Sequence, residues 1–255
     1  MTKQNWFIGT SGFMISQTDW LKQKQLNCIE INSSFYRIPG PKQIENWLKF
    51  PKNIYFCLKV NRYITHSKKL KDINQIWDDY WNKVSPLGKK LKCLLFQMSP
   101  SFKFNEVNMN RLKNLYKEVK NIKCCIVFEF RDISWFNKEV YELFEKFKWT
   151  ISSTFIKKKD GTKWLNNMPN GLNLIPKTSN TSYTRIHGAR GYRGEMTKTQ
   201  MKKMYNDIKK LNCKNNFVFF NNVFFNKRNN FCTKNNFKIK YAAVCNAIEF
   251  KKIFV

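Results

Sequence analysis

The chain has 255 residues, of which 47 are Lys or Arg and 17 are Asp or Glu, a formal net charge of +30. No apolar run approaches the roughly 20 residues of a membrane span, and Met1–Thr10 lacks the pattern of a signal peptide, so a soluble, cytoplasmic protein is expected. A charge this high invites a polyanion, but Lys outnumbers Arg by 39 to 8 and Asn (31) and Phe (23) are abundant, which AT-rich coding explains without selection. Weak, salt-sensitive nucleic-acid binding follows from the charge in either case.

The elements alternate along the chain. Strand one is Trp6–Thr10, followed by Ser11-Gly12 and a short helix over 19–25; strand two is Cys28–Asn32, with Pro41 at the first turn of the next helix. Strand three (Tyr55–Val60) leads to a helix over 73–84 whose Ile76, Trp77 and Tyr80 share a face. Strand four (Cys93–Met98) stops at Ser99-Pro100 before a helix over 106–119. Strand five (Cys125–Phe130) precedes a helix over 138–147, and strand six is Trp149–Ser153. Residues 155–180 show no period and read as a long irregular stretch. Strand seven is Tyr183–Gly188, followed by a helix over 197–211 with Thr197 as its N-cap. Strand eight is Phe217–Asn222; NKRNNFCTKNN (226–236) reads as a loop, and a helix over 241–254 closes the chain. Eight strand-helix units in 255 residues specify a single α/β domain over 1–255, a (β/α)8 TIM-barrel-like fold.

No C-x-x-C occurs among the eight cysteines, and Cys57, Cys93, Cys124 and Cys125 fall inside strands, so free core thiols are expected. Two histidines cannot build a His-rich metal centre; no metal ligand set is assigned, and the cofactor stays unknown.

In a barrel of this kind chemistry sits at the C-terminal strand ends. Alternation puts Glu30 and Asn32 on one face of strand two, Lys59 with Cys57 and Asn61 on strand three, Glu129 with Arg131 on strand five, and Arg185 with His187 on strand seven. Thr10, Gln97 and Asn221 end strands one, four and eight. Buried charges must pair or meet a ligand. The plain alternative is a salt-bridged plug, Glu30 with Arg185 or Glu129 with Lys59. Three fixed cations against two carboxylates make a net positive mouth, suited to a phosphate, a carboxylate or a nucleotide backbone. The loop HGARGYRG (187–194) adds three glycines and two arginines, including Arg190, in the manner of a phosphate cradle.

IGTSGF from Ile8, EINSSFYRIP from Glu30, KVNRYITHSKKLKD from Lys59, PLG from Pro86, LFQMSPSFK from Leu95, FEFRDISWF from Phe128, RIHG from Arg185 and FFNN from Phe219 together resemble the YecE-like family, domain of unknown function 72. The resemblance spans almost the whole chain and implies a TIM-barrel-like fold without an established activity. Against the family pattern, the segment after Ser11-Gly12 opens with Phe13 rather than Trp and is short, strand six ends in Ser152-Ser153-Thr154 where an Asp is usual, and Val223 follows Asn221-Asn222 where the family has Asp.

The expected catalytic groups are Glu30 or Glu129 as general base and His187 as general acid. Thr10, Ser11, Asn32, Tyr36, Arg37, Lys59, Arg62, Gln97, Arg131, Arg185, Arg190 and Asn221 are the expected substrate-binding residues. The leading expectation is an enzyme acting on a small phosphorylated or otherwise anionic substrate. A second is a glycosidase-like or sugar-isomerising barrel with a Glu30–Glu129 pair about 5–5.5 or 6.5–9.5 Å apart and Tyr36, Trp135 and Tyr192 stacking sugar. A third is a non-enzymatic nucleic-acid-binding barrel; the oligomeric state is open.

Overall fold

The computed structural model describes residues 3–156, 175–188, 194–221, 232–234 and 237–255. Nine parallel strands form one sheet in the order β6-β5-β4-β3-β2-β1-β9-β8-β7. They are β1 (Asn5–Ser11), β2 (Cys28–Ile31), β3 (Tyr55–Lys59), β4 (Leu91–Gln97), β5 (Cys125–Glu129), β6 (Thr150–Ile151), β7 (Ser153–Ile156), β8 (Thr181–Gly188) and β9 (Asn215–Phe220). The edge strands β6 and β7 are separated by Ser152 alone; β6 lies inside the expected sixth strand, whereas β7 starts at its last residue and carries the strand on to Ile156, into the stretch read as irregular. At the break the Ser152 N–H donates to the Phe128 carbonyl of β5 (2.7 Å), while the Thr150 hydroxyl donates to the Thr181 carbonyl of β8 (3.3 Å). The split strand thereby joins both edges and makes a TIM-barrel-like ring.

Helices α1 (Gln17–Leu21), α2 (Pro41–Leu48), α3 (Asn74–Val84), α4 (Glu106–Val119), α5 (Lys138–Phe147), α6 (Lys198–Lys210) and α7 (Ala242–Phe254) follow their strands around the outside. Their starts obey local chemistry. Pro41 occupies the first turn of α2, Asn105 and Asn137 cap α4 and α5, and Thr197 forms a reciprocal capping box with Gln200 on α6. Helix α1 begins two residues before the expected segment because the Ser16 hydroxyl accepts the Asp19 N–H (3.1 Å).

Two findings correct the sequence reading of the C-terminal region. The stretch read as a loop contains β10 (Cys232–Lys234), paired antiparallel with β11 (Phe237–Ile239). Cys232 and Cys245 are joined by a disulfide, so six of the eight cysteines are free. The hairpin and the first turn of α7 bring the two Cα atoms to 6.3 Å, inside the usual disulfide range, a juxtaposition that spacing alone does not reveal.

The core has two compartments. Between barrel and helices lies an aromatic layer that includes Trp20, Trp47, Trp77, Trp135, Phe96 and Phe128. Inside the barrel, Cys28, Cys57 and Cys93 of β2–β4 face Tyr183, Phe217 and Phe219 of β8 and β9, with Leu95 and Val127 between. Small thiols on one wall leave the volume that three large rings on the other wall fill, which keeps the interior close-packed.

Candidate functional site at the C-terminal mouth

The polar layer sits directly above these rings. Alternation holds: Glu30, Lys59, Glu129, Arg185 and His187 are buried on the inner face, while Ile29, Ile31, Leu58, Phe128 and Ile186 join the outer core. Thr10 is the exception among the expected inward residues. It shares the outer face with Ile8, accepts the Trp20 indole N–H (2.9 Å) and donates to the Gly12 carbonyl (2.6 Å), so it anchors α1 instead of lining the mouth. Its neighbour Ser11 takes the inner position, with a buried hydroxyl that has no hydrogen-bond partner among the described residues.

Arg185 is the centre of the layer. Its Nε and Nη2 donate to Glu30 Oε1 (3.2 and 2.8 Å), and its Nη1 donates to Glu129 Oε2 (2.5 Å). The Tyr183 hydroxyl donates to Glu30 Oε2 (2.7 Å). Glu129 Oε1 accepts the Gln97 amide (2.7 Å) and pairs with Arg131. Burial by itself would raise the Glu129 carboxyl, but the charges of Arg131 and Arg185 outweigh it and hold the group well below the ordinary carboxylate range. Both carboxylates are therefore occupied by fixed donors. The anticipated Glu30–Arg185 pair is present, whereas Glu129 takes the two arginines, not Lys59.

Lys59 is left over. It is 9% exposed, and among the described residues its ammonium makes no ion pair. Its Nζ lies 3.8 Å from the centroid of the Phe35 ring, a cation–π contact. Phe35 is put there by a 3-10 turn, Ser33–Phe35, that the Ser34 hydroxyl ties to the ends of β2 and β3 by reaching the Ile31 and Lys59 carbonyls (2.8 and 2.7 Å). Burial, then the Arg185 charge, lowers the Lys59 amine to about 8.

His187 is buried beside this group, and burial with the nearby Arg185 charge lowers it to about 3, so the imidazole is neutral at pH 7. The Asn221 amide nitrogen lies 3.2 Å from His187 Nδ1. An N–H donated there assigns the ring proton to Nε2. A neutral ring of this kind is a hydrogen-bond donor, not an imidazolium that releases a proton. A depressed carboxyl such as Glu129 is likewise a weak base.

Sequence reasoning did not pick out His66, Phe35 or Tyr183. His66 sits in a π-helical turn, Tyr63–Ser67, edge-on to Phe35 at 4.9 Å, and burial followed by the Lys59 charge lowers it to about 4. Tyr183 has the same parity as Arg185, a signal that was available; the turn that brings Phe35 and His66 to Lys59 has none. Asn32 heads the Ser33–Phe35 turn with a buried Oδ1 that has no hydrogen-bond partner among the described residues. Tyr36, Arg37 and Arg62 are exposed on the loops after β2 and β3, outside the buried layer. Arg190 and Tyr192 lie outside the described residues, as do Asn222 and Val223. Trp135 cannot stack a sugar: it is fully buried between Phe102 and Phe130 and donates to the Phe102 carbonyl (2.5 Å). No cluster among the described residues has the composition to hold a metal ion, and no described helix is long and apolar enough to cross a membrane.

The family model described as protein of unknown function DUF72 matches residues 14–234. The chain belongs to the DUF72 family. A DUF72 protein of Thermotoga maritima is 25% identical, with a TM-score of 0.76 over 98% of this chain and 99% of the other. A DUF72 protein of Enterococcus faecalis is 18% identical, with a TM-score of 0.75 over 99% and 98%. A psychrophilic family 10 endo-β-1,4-xylanase shares the barrel alone, at 10% identity and a TM-score of 0.52 over 96% of each chain. Among proteins of curated function, none matches this chain. The strand-end residues Glu30, Lys59, Glu129 and Arg185 all fall inside the span matched by the family model.

Proposed function

We propose that this DUF72 protein is an enzyme that binds a small anionic substrate, a phosphate or carboxylate compound, at the C-terminal mouth of its barrel, with Lys59 as the anion anchor. The supporting observation is that Arg185 and Arg131 occupy both buried carboxylates while Lys59 is buried with no ion pair among the described residues. The inner layer then carries one positive charge in excess, and an anion on Lys59 would balance it. The buried Ser11 hydroxyl and Asn32 Oδ1, at the same end, also have no hydrogen-bond partner among the described residues.

The roles differ from the sequence expectation. Glu30 and Glu129 hold Arg185 in place and are not assigned as bases. His187 would donate a neutral N–H to a substrate oxygen, and Lys59, titrating near 8 and so charged at pH 7, would hold the anion. A retaining or inverting carboxylate pair needs one carboxyl free to act as an acid; here one guanidinium bridges both.

The test is a thermal-shift series with inorganic phosphate, phosphorylated metabolites, nucleotides, short oligonucleotides and divalent metals, on wild type and Lys59→Met. Removing a buried cation that has no ion pair among the described residues strands no carboxylate there, so the variant should fold. A ligand at 100 times its Kd adds about 2.7 kcal/mol, which raises Tm by about 5–10 °C in a chain of this size. A shift in wild type that Lys59→Met abolishes supports the reading. Oligonucleotide binding alone, equally salt-sensitive in both proteins, would replace it with a charged-surface role.

A further inference from the structure

The opposite end of the barrel is open. A cavity of about 710 Å³ is lined by Phe7, Leu91, Cys125, Asn215 and Phe217, which stand at or near the starts of β1, β4, β5 and β9. Its wall carries Lys89, Lys92 and Lys123 against a single carboxylate, Glu118. Cys125 is only part-buried there, and its sulfur lies 3.2 Å from the Thr181 hydroxyl of β8. On the inner side Cys93 is directly opposite Cys125 in the β4–β5 register and is fully buried. Cys124, also in the wall, points to the outer core.

We propose that this cavity is a thiol-exchange site in which Cys125 forms mixed disulfides with small anionic disulfides, the lysine wall selecting for negative charge. The thiolate of Cys125 attacks one sulfur of the incoming disulfide. A new S–S bond forms at Cys125, the original S–S bond breaks, and the other half leaves as a thiolate with the electron pair. The Cys125 sulfur is oxidised, the departing sulfur is reduced, and the Cys125 proton has already gone to solvent.

The chemistry agrees with the surroundings. A hydrogen bond from Cys93 is the largest influence on Cys125; with the Thr181 hydroxyl and the Lys92 charge it outweighs burial and brings the thiol down to about 7. Burial instead pushes Cys124 up and out of the reactive range. Lys92 also lies 4.4 Å from the centroid of Tyr55, which holds a cation near the barrel floor. Three lysines facing one carboxylate favour a dianionic reagent over a neutral one. The site stands apart from Lys59 and does not depend on the reading of the mouth.

The experiment compares the dianionic disulfide 5,5′-dithiobis(2-nitrobenzoate) with the neutral 4,4′-dithiodipyridine on the full chain at pH 7, with the first modified cysteine mapped by mass spectrometry. Cys125 should be labelled first with both reagents, Cys125→Ser should lose the fast phase, and the rate should rise with pH through about 7. The double variant Lys92→Gln/Lys123→Gln should lower the ratio of anionic to neutral rates by about 3–10-fold, as should 0.5 M salt. First labelling at another cysteine, or an unchanged ratio in the lysine variant, would overturn the proposal. The mapping on wild type and the lysine variant keep the test decisive even if Cys125→Ser fails to fold.

Discussion

Replacing Arg185 with Met tests what holds the buried polar layer together. Glu129 would keep Arg131 and Gln97, whereas Glu30 would keep the Tyr183 hydroxyl alone. The cost therefore falls on one fully buried carboxylate that loses its ion-pair partner, and such a change costs about 3–5 kcal/mol. At roughly 2–4 °C per kcal/mol for a chain of this length, Tm should fall by about 6–20 °C. Urea denaturation with calorimetry measures it. The double variant Glu30→Gln/Arg185→Met should recover a large share, because the amide can still accept from Tyr183 and no charge is stranded. A loss under about 1 kcal/mol in Arg185→Met, or a double variant as unstable as the single, would show that the guanidinium does not compensate Glu30.

Three further outcomes follow from particular contacts. The Glu129 carboxyl is depressed in the folded state, so its stabilising contribution is present above its unfolded value of about 4.3 and is lost as pH falls through the folded one; Glu129→Gln should flatten the acid limb of a stability-pH curve. Gly9→Ala would place a Cβ 1.6 Å from the Cys28 carbonyl oxygen of the neighbouring strand, and this backbone clash should prevent folding or cost more than the ~1–3 kcal/mol of ordinary overpacking, read as lost soluble yield or lowered Tm. Reducing the Cys232–Cys245 disulfide, or Cys245→Ser, should cost up to about 3 kcal/mol by the loop-entropy argument, measured by denaturation with and without reductant.

The barrel was legible because its signals are local. Period-two alternation placed Glu30, Lys59, Glu129 and Arg185 on the inner face, and the Thr197 cap set the start of α6 to within a residue. Thr10 misled because a polar residue at a strand end was assumed to face inward, whereas a tryptophan on the next helix claims its hydroxyl. The division of labour among the charges was not legible. Sequence gives the count of cations and carboxylates; which arginine takes which carboxylate depends on cross-barrel distances between residues more than 150 positions apart, as for Arg185 and Glu30. The Phe35–Lys59–His66 stack was hidden because the turns Ser33–Phe35 and Tyr63–Ser67 that assemble it follow no period, and the Cys232–Cys245 bond because its partners meet only after β10 and β11 pair.

The ring closes with very unequal seams. The β1–β9 ladder joins Asn5 to Asn215, 210 residues apart, and runs for six paired positions. The β5–β6 ladder has two paired positions, Val127 with Thr150 and Phe128 with Ile151. Its partners are only roughly two dozen residues apart, so the loop it closes costs about 2 kcal/mol less chain entropy than the one closed by β1 and β9. A six-pair zipper, matched in length by β8–β9, thus sits where sequence-distant strands must find each other, and the shortest sits where neighbours in sequence already lie close. In kinetic terms the docking of β1 on β9 is the step with the highest contact order, and it turns a growing open sheet into a barrel.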